Sequence, residues 1–136
     1  MEILETDRHP QYIKRARNGI YNRSSLREVP ADVRIRYFES CKGSKQLSIK
    51  MELKSEIHWK ICELLTESPG SNFQIIFLRN NILTYCRQAD QIRALESILN
   101  CLAPGGLFII GCHETLPLAN GVLMPLAECP YVYQKR

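Results

Sequence analysis

The sequence predicts an α/β fold with a mostly parallel sheet and helices on both faces. Two apolar runs, FQIIFL and LFIIGC, have the composition of buried strands, and the segment from Arg87 to Leu102 between them carries apolar residues at helical spacing. Because neighbouring parallel strands are joined by a crossover helix, this order indicates a parallel sheet. FQIIFL is apolar throughout, which predicts a central strand covered on both faces.

The amino-terminal residues predict a further strand and helix. EILE has the composition of a short strand that ends at Asp7, and a helix follows with Pro10 in its first turn and Gly19 at its end. The carboxyl-terminal segments VLMPL and YVY predict two more short strands. These elements extend the α/β pattern to both ends of the chain.

Alternation of apolar and polar residues marks the middle of the chain. It runs from Leu47 to Met51 and again from Ile57 to Ile61, which predicts two half-exposed strands. We therefore expect one domain over residues 1–136, with a small antiparallel insertion at about residues 45–61.

Composition agrees with one soluble domain of 136 residues, since apolar residues make up 45% and charged residues 24%. No run of eighteen apolar residues is present, and the acidic start MEILETD lacks the features of a signal peptide, so we expect a cytoplasmic protein without membrane insertion. The net charge is +4, and the basic residues of YIKRARNG and VRIRYF alternate with apolar ones at helical spacing. This pattern favours solvated helix faces over a nucleic-acid surface.

Six cysteines and three histidines raise the question of a metal or of disulfides. No two cysteines have metal-ligand spacing, and their apolar neighbours favour buried, reduced thiols. His113 and Glu114 resemble half of a metal site, but no second histidine lies within ligand spacing, so no metal is expected. The glycines also never form a GxGxxG phosphate loop.

Polar residues follow the ends of several predicted strands. In open α/β sheets, ligands bind beyond the carboxyl ends of the strands, so these residues are the candidate site. Each has a simpler interpretation as well: an acid at a strand end can cap a helix, and Asn-Asn can form a turn. The set comprises Asp7, Glu63, Arg79 with Asn80, and His113 with Glu114.

Several sequence blocks together resemble one family. They are ETDRHPQYIKRARNGIY, SSLREVP, RYF, IHWKICELL, NFQIIFLRNNILTYC, LAPGGLFIIGCHETLP and YVYQKR. In this order they resemble the carboxyl-terminal catalytic portion of CheR-type methyltransferases, over nearly the whole chain. The resemblance implies a partial Rossmann-like class I methyltransferase sheet that lacks the first strand and the glycine-rich loop, both of which lie upstream in the family.

The resemblance also implies a cofactor, a reaction and residue roles. Family enzymes use S-adenosylmethionine, and those of chemotaxis methylate glutamate side chains of receptor proteins. By resemblance, Asp7 holds the ribose, Glu63 and Leu64 lie near the adenine, and Arg79 with Asn80 matches the family's Arg-Asn pair. Tyr85 matches the tyrosine beside the methyl-transfer centre.

The sequence departs from the family pattern at several of these places. Glu63 replaces an amide or aspartate, Gln74 stands where the family often has Asp, and Cys86 replaces an aromatic residue. The RNNILTY segment is one residue longer than in the chemotaxis members. These differences indicate a divergent branch.

The sequence supports two functional hypotheses. The first is methyl transfer from S-adenosylmethionine to a protein glutamate carboxylate, with this chain as a fragment or truncated member. The alternative is a non-catalytic interaction module or an inactive remnant of the fold, which associates through an uncovered strand edge.

Overall fold

The structure is a computed structural model that describes residues 2–117 and 121–136. The chain divides into two units, Met1–Cys62 and Glu63–Arg136. The elements of the first unit are β1 (Ile3–Asp7), α1 (Pro10–Asn18), β2 (Ile20–Asn22), a 3₁₀ helix (Arg23–Leu26), α2 (Ala31–Tyr37), β3 (Phe38–Ser40), β4 (Gln46–Ile49), α3 (Met51–Lys54) and β5 (Ile57–Ile61).

A parallel pair of strands carries the candidate residue Asp7. Strands β1 and β5 run in parallel, with Asp7 opposite Ile61 at the carboxyl end of the pair. Helix α1 packs against both strands. It begins at Pro10, whose fixed φ suits the first helical turn, and ends before Gly19, whose φ of 64° supplies the left-handed cap. The predicted strand and helix at the amino terminus are therefore confirmed.

A second sheet in the same unit is antiparallel, with β4 between β2 and β3. The region of about residues 45–61, predicted as a small insertion, thus contributes β4 to this sheet, whereas β5 pairs in parallel with β1. The predicted strand that runs to Met51 is wrong at its end, because Met51 starts helix α3. Two-residue alternation over so short a segment did not distinguish a strand from a single helical turn.

The second unit contains a four-stranded mixed sheet in the order β6-β7-β9-β8. Strands β6 and β7 are parallel, and β9 pairs antiparallel with both β7 and β8. The predicted strands and the predicted long helix are confirmed. The elements are β6 (Phe73–Leu78), α4 (Ile82–Tyr85), α5 (Gln88–Cys101), β7 (Leu102–Ile110), β8 (Leu123–Leu126) and β9 (Cys129–Lys135).

The core of this unit lies between α5 and one face of the sheet. Leu95 of α5 and Phe108 of β7 are 1% and 0% exposed, and Ala94, Ile98 and Leu99 complete the buried stripe of the helix. The ammonium of Lys135 donates hydrogen bonds of 2.7 Å to the carbonyls of Leu99 and Leu102, near the end of α5. These bonds satisfy carbonyls that a helix end otherwise leaves unpaired.

The predicted coverage of β6 on both faces is wrong within this unit. Among the described residues β6 pairs only with β7, so it forms an edge of the sheet. Ile75 is 50% and Phe77 is 67% exposed, while Leu78 on the opposite face is buried. An apolar run identifies a strand with two apolar faces, but it does not state which element covers each face.

The structure also bears on the predictions about the cysteines and about membrane-spanning helices. Cys62 and Cys101 are buried as expected, but Cys112 and Cys129 are exposed, so the prediction of six buried thiols is wrong for these two. Cys112 lies in the loop after β7 and Cys129 at the start of β9, each next to a solvent-exposed residue. Within the described ranges, no helix combines the length and the apolar composition that crossing a membrane requires.

Phe108 and Phe77 lie on neighbouring strands and provide a matched test of this packing. We expect Phe108→Ala to lower the free energy of unfolding by about 3–5 kcal/mol, because it leaves a cavity in the core. Phe77→Ala should change it by about 0.5 kcal/mol or less, since the ring is largely exposed. Urea denaturation followed by circular dichroism measures both. Similar losses in the two variants would contradict the assignment of the core to one face.

Candidate functional site

The parallel pair β6 and β7 brings two polar segments to the same edge of the second unit. Leu78 and Ile110 are paired at the ends of these strands. Arg79 and Asn80 follow the first strand, and the turn from Gly111 to Glu114 follows the second. Since parallel strands point the same way, both segments emerge at the carboxyl edge, where ligands bind in open α/β sheets.

Glu114 is the last residue of the second segment and is buried, with 8% of it exposed. The hydroxyl of Thr84 donates to its Oε1 at 2.6 Å, and the backbone N–H of Gly111 donates to its Oε2 at 2.8 Å. The backbone N–H groups of Asn80 and Asn81 lie close enough to stabilise the charge of the carboxylate. A buried carboxylate is costly without such groups, so the two hydrogen bonds and these N–H groups are what allow it to lie here.

The same contacts set the charge of this carboxyl. Burial raises the pKa of Glu114, but the hydrogen bonds from Thr84, Gly111, Asn80 and Asn81 outweigh it and hold the pKa below its ordinary value. A carboxyl whose pKa is lowered in the folded state stabilises the fold when the pH is above its unfolded pKa. That contribution is lost as the pH falls through the lower, folded value.

Gly111 is required by the close approach of this carboxylate. A Cβ atom at Gly111 would lie 2.7 Å from Oε2 of Glu114 and 3.3 Å from Oδ1 of Asn80. Contacts of 2.7 Å to a fixed oxygen are too short for any side chain. The G-x-x-E spacing in the sequence therefore has a steric cause as well as a hydrogen-bonding one.

Tyr85 lies on α4, a helix of only four residues that neighbouring groups hold in place. Short helices are not stable on their own, so their order depends on tertiary contacts. Ile82 and Leu83 are buried in the core, and the side-chain amide of Gln91 donates to the carbonyls of Leu83 and Cys86 at 3.2 and 3.0 Å. The ring of Tyr85 is 79% exposed on this anchored turn.

Asn80 adopts a left-handed conformation with φ of 50° at the end of β6. Asparagine tolerates this region better than most residues, and such conformations occur at turns and functional sites. The turn directs the chain from β6 into α4. Arg79 and Asn80 are both exposed at this point.

Glu63 and Leu64 start the second unit and form a turn. The carbonyl of Glu63 accepts the N–H groups of Thr66 and Glu67, and its Oε1 accepts the N–H of Leu65 at 3.4 Å. Leu64 is partly buried against the core. The geometry thus gives Glu63 a local structural role beside the adenine-binding role predicted by resemblance.

Asp7 lies in the first unit, at the carboxyl end of β1. Its Oδ1 accepts the N–H of His9 at 2.7 Å, just before α1 begins. The N-cap residue of α1 is His9 and no side chain caps this helix, so Asp7 forms a turn before α1 and is not the helix cap that the sequence left as an alternative. A carboxylate has about four lone-pair positions, so one such bond leaves acceptor capacity for ribose hydroxyls.

A second acid adds to the negative charge at the end of β1. Burial, followed by the charge of Asp7, raises the pKa of Glu5. Residues two apart on a strand lie on the same face, so the two carboxyls lie side by side. Hydrogen-bond donors and cations are favoured at such a place.

The predicted site residues fall into two groups. Arg79, Asn80 and Tyr85 lie on the β6 to α4 segment of the second unit and Glu63 with Leu64 at its start, whereas Asp7 belongs to the first unit. Glu114 was predicted to lie at a strand end, with no role other than half of a metal site. Thr84 and Gly111 were missed, although Gly111 three residues before an acid was a usable signal. Among the described residues, no cluster of three or more metal-ligating side chains occurs.

A cavity of about 820 Å³ opens beside Glu114 in the second unit. His113 and Leu116 line it from the loop after β7, and Tyr131 and Tyr133 line it from β9. It combines an apolar and aromatic wall with polar groups at one end, as small-molecule and side-chain pockets commonly do.

The fold and the polar carboxyl edge define a partial class I methyltransferase fold. The structure of the N-methyltransferase NodS from Bradyrhizobium japonicum WM9 matches 98% of this chain and 73% of its own chain, with a TM-score of 0.59 and 12% identity. At this identity the likeness concerns the fold alone. The sequence model of the family "CheR methyltransferase, SAM binding domain" matches residues 1–131, and the chain belongs to this family.

Curated relatives agree with this assignment. The chain is 26% identical over 135 residues to chemotaxis protein methyltransferase 2 of Pseudomonas aeruginosa, a match covering 96% of this chain and 48% of the relative. It is 27% identical over 118 residues to the chemotaxis protein methyltransferase of Escherichia coli, covering 83% and 41%. The chain therefore spans about half the length of the relatives it matches.

The cofactor of this family is S-adenosylmethionine, and the donor set of the chain fits part of it. The Asp7 carboxylate at the end of a parallel strand is a suitable acceptor for ribose hydroxyls. Leu64 follows β5 and supplies apolar surface, and the exposed polar groups of Arg79 and Asn80 follow β6 and can form hydrogen bonds.

The steric requirement for Gly111 is directly testable. We expect Gly111→Ala to lower the free energy of unfolding by about 1–3 kcal/mol, the usual cost of overpacking. The loss should shrink in a Glu114→Ala background, because the oxygen that clashes with the new Cβ is then absent. A double-mutant cycle by urea denaturation measures this coupling. Equal losses in both backgrounds would show that Glu114 does not cause the requirement.

Proposed function

We propose that this chain is the carboxyl-terminal part of a CheR-type methyltransferase domain, which transfers a methyl group from S-adenosylmethionine to a glutamate carboxylate of a protein. The family match over residues 1–131 supports the cofactor and the reaction class. We infer the identity of the acceptor group and the activity of these 136 residues.

The observation that carries the proposal is the anchored segment from Arg79 to Tyr85. An exposed tyrosine usually lies on a surface that tolerates motion, but the backbone here is held by core contacts and by hydrogen bonds from Gln91 and Thr84. Holding reacting groups in one geometry contributes much of the rate in transfer reactions. A fixed, exposed tyrosine at a carboxyl strand edge suits such a role.

When bound, the cofactor supplies an electrophilic methyl group on a sulfonium. The remaining task is to align a carboxylate oxygen with that methyl group, and the phenol of Tyr85 can donate a hydrogen bond to the second carboxylate oxygen. In this proposal Asp7 accepts the ribose hydroxyls, and Glu63 with Leu64 lies beside the adenine. Arg79 and Asn80 complete the polar edge.

Binding of S-adenosylhomocysteine to the full 136-residue chain tests the cofactor roles. We expect Asp7→Asn and Asp7→Ala to raise the dissociation constant by about tenfold to a hundredfold, the effect of losing hydrogen bonds to a charged acceptor. Asp7→Asn keeps an oxygen for the His9 N–H, so it separates affinity from folding. Tyr85→Phe should leave the affinity nearly unchanged. Isothermal titration calorimetry measures all three.

Asp32→Ala serves as the control for a lost exposed acid in the same unit, and Tyr12→Phe for a lost exposed phenol. Transfer is followed as base-labile methyl ester on a glutamate-rich peptide, and Tyr85→Phe should slow it at unchanged affinity. No binding by the unaltered chain at millimolar cofactor would remove the enzymatic proposal for this polypeptide. Equal loss of affinity in Asp7→Asn and Tyr85→Phe would overturn the separate roles.

The exposed face of β6 favours a second candidate function, an interaction module that associates through its strand edge. Ile75 and Phe77 present apolar surface beside backbone groups on the side of β6 that no described strand covers. Such edges readily pair with other chains. A second copy of this chain is the simplest occupant.

Size-exclusion chromatography with light scattering tests this alternative. If the edge mediates self-association, the unaltered chain forms dimers or larger species, and Phe77→Glu shifts it towards the monomer because a charge cannot be buried there. Gln74→Glu adds a charge at an exposed polar position of the same strand and serves as the control. A monomeric unaltered chain at about 100 μM would exclude self-association stronger than about −5.5 kcal/mol.

A further inference from the structure

One charged side chain is buried within the described part of the structure, and the proposed reaction gives it no direct role. Glu114 is 8% exposed and lies beyond the end of β7. It does not need to contact cofactor or acceptor to matter, because its hydrogen-bond donors Thr84 and Gly111 and the nearby N–H groups of Asn80 and Asn81 belong to segments that shape the candidate edge.

These interactions link segments far apart in sequence. Thr84 is thirty residues before Glu114, and Gly111 is three residues before it. The N–H groups of Asn80 and Asn81 belong to the turn that leads from β6 into α4. Both carboxylate oxygens therefore join the end of β6 to the end of β7.

The turn that Glu114 holds is not one that a peptide adopts readily. Asn80 has a φ of 50°, and Asn81 has φ of −132° with ψ of −124°. Conformations of this kind persist where the surrounding structure determines them. The direction of the turn sets where Arg79 and Tyr85 point, since these residues lie just before and just after it.

We propose that Glu114 is a positioning residue, which fixes the β6 to α4 turn through Thr84, Asn80 and Asn81 and so orients Arg79 and Tyr85 for cofactor binding and transfer. This inference rests on the proposed function for its catalytic consequence. The connection itself is a property of the free protein and can be measured without cofactor.

Nuclear magnetic resonance of the free 136-residue chain tests the connection. In a pH titration, the amide protons of Gly111, Asn80 and Asn81 should shift together with one midpoint, because the Gly111 N–H donates to this carboxylate and the other two N–H groups lie near its charge. The common shift should disappear in Glu114→Gln. Independent midpoints for these amides would overturn the proposal.

Other titratable groups surround this site and need to be separated from it. Cys112 and His113 lie on the same turn, Arg79 and Tyr85 on the opposite segment, and Tyr131 and Tyr133 line the adjoining cavity. Among these, His113 directly precedes Glu114 in the chain. The titration is therefore repeated in a His113→Asn background, where the common midpoint should remain.

Thr84→Val removes one donor with little change in shape and is the milder variant if Glu114→Gln unfolds. We expect backbone order parameters of residues 79–85 to fall from about 0.85 towards 0.6 in Thr84→Val, while those of α5 stay high. Thr115→Val, at an exposed threonine beside Glu114, is the matched control and should leave the order parameters of both segments unchanged. Unchanged order in Thr84→Val would contradict a positioning role.

The last measurement connects the turn to binding. Circular dichroism first establishes that all variants are folded. Thr84→Val should then weaken S-adenosylhomocysteine binding by about tenfold, or about 1.4 kcal/mol, and Thr115→Val should not weaken it. Equal affinity of Thr84→Val and the unaltered chain would overturn the functional half of the proposal. If the unaltered chain binds no S-adenosylhomocysteine, the proposed function fails, and the amide titration and order parameters alone decide the role of Glu114.

Discussion

The second unit depends on the hydrogen-bond donors that surround one buried carboxylate, that of Glu114. Glu114 can remain charged beneath the surface only because hydroxyl and backbone donors reach both of its oxygens, and a missing donor leaves a desolvated charge. This requirement explains the glycine at position 111 and the threonine at position 84. It also explains why an asparagine turn with unusual dihedral angles persists at the end of β6. One interaction thereby determines several features that look unrelated in the sequence.

The order of elements was predictable because their signals are local. Helix α5 repeats its apolar residues every three or four positions, and the strand runs on either side are too apolar to lie in loops. The coverage of β6 was not predictable, because Ile75 and Phe77 look the same in a sequence whether a helix, another chain or solvent covers them. The prediction of a strand up to Met51, where α3 starts, was wrong for a different reason. A single helical turn is too short to show the helical period in the sequence.

The candidate site, like the fold, was predictable from the sequence only in part. Polar residues at strand ends and the family resemblance were enough to name Asp7, Arg79, Asn80 and Tyr85, and their roles remain predictions. The function of Glu114 was out of reach because Thr84 and the N–H groups of Asn80 and Asn81 are thirty or more residues away from it, and the last two are backbone groups. Backbone donors leave no trace in residue identities, so only the fold brings this network into view.

The exposed apolar residues connect the two proposed functions. Parallel sheets in α/β proteins are normally covered on both faces, yet Ile61 in the first unit is 55% exposed and Phe77 in the second 67%. Exposed side chains of this size favour any polypeptide that covers them, whether a second copy or additional segments of a protein as long as the relatives. Covering β6 would also exclude water from its carboxyl end, where Arg79 emerges. Association through β6 and methyl transfer at its end would then be two consequences of the same strand rather than exclusive alternatives.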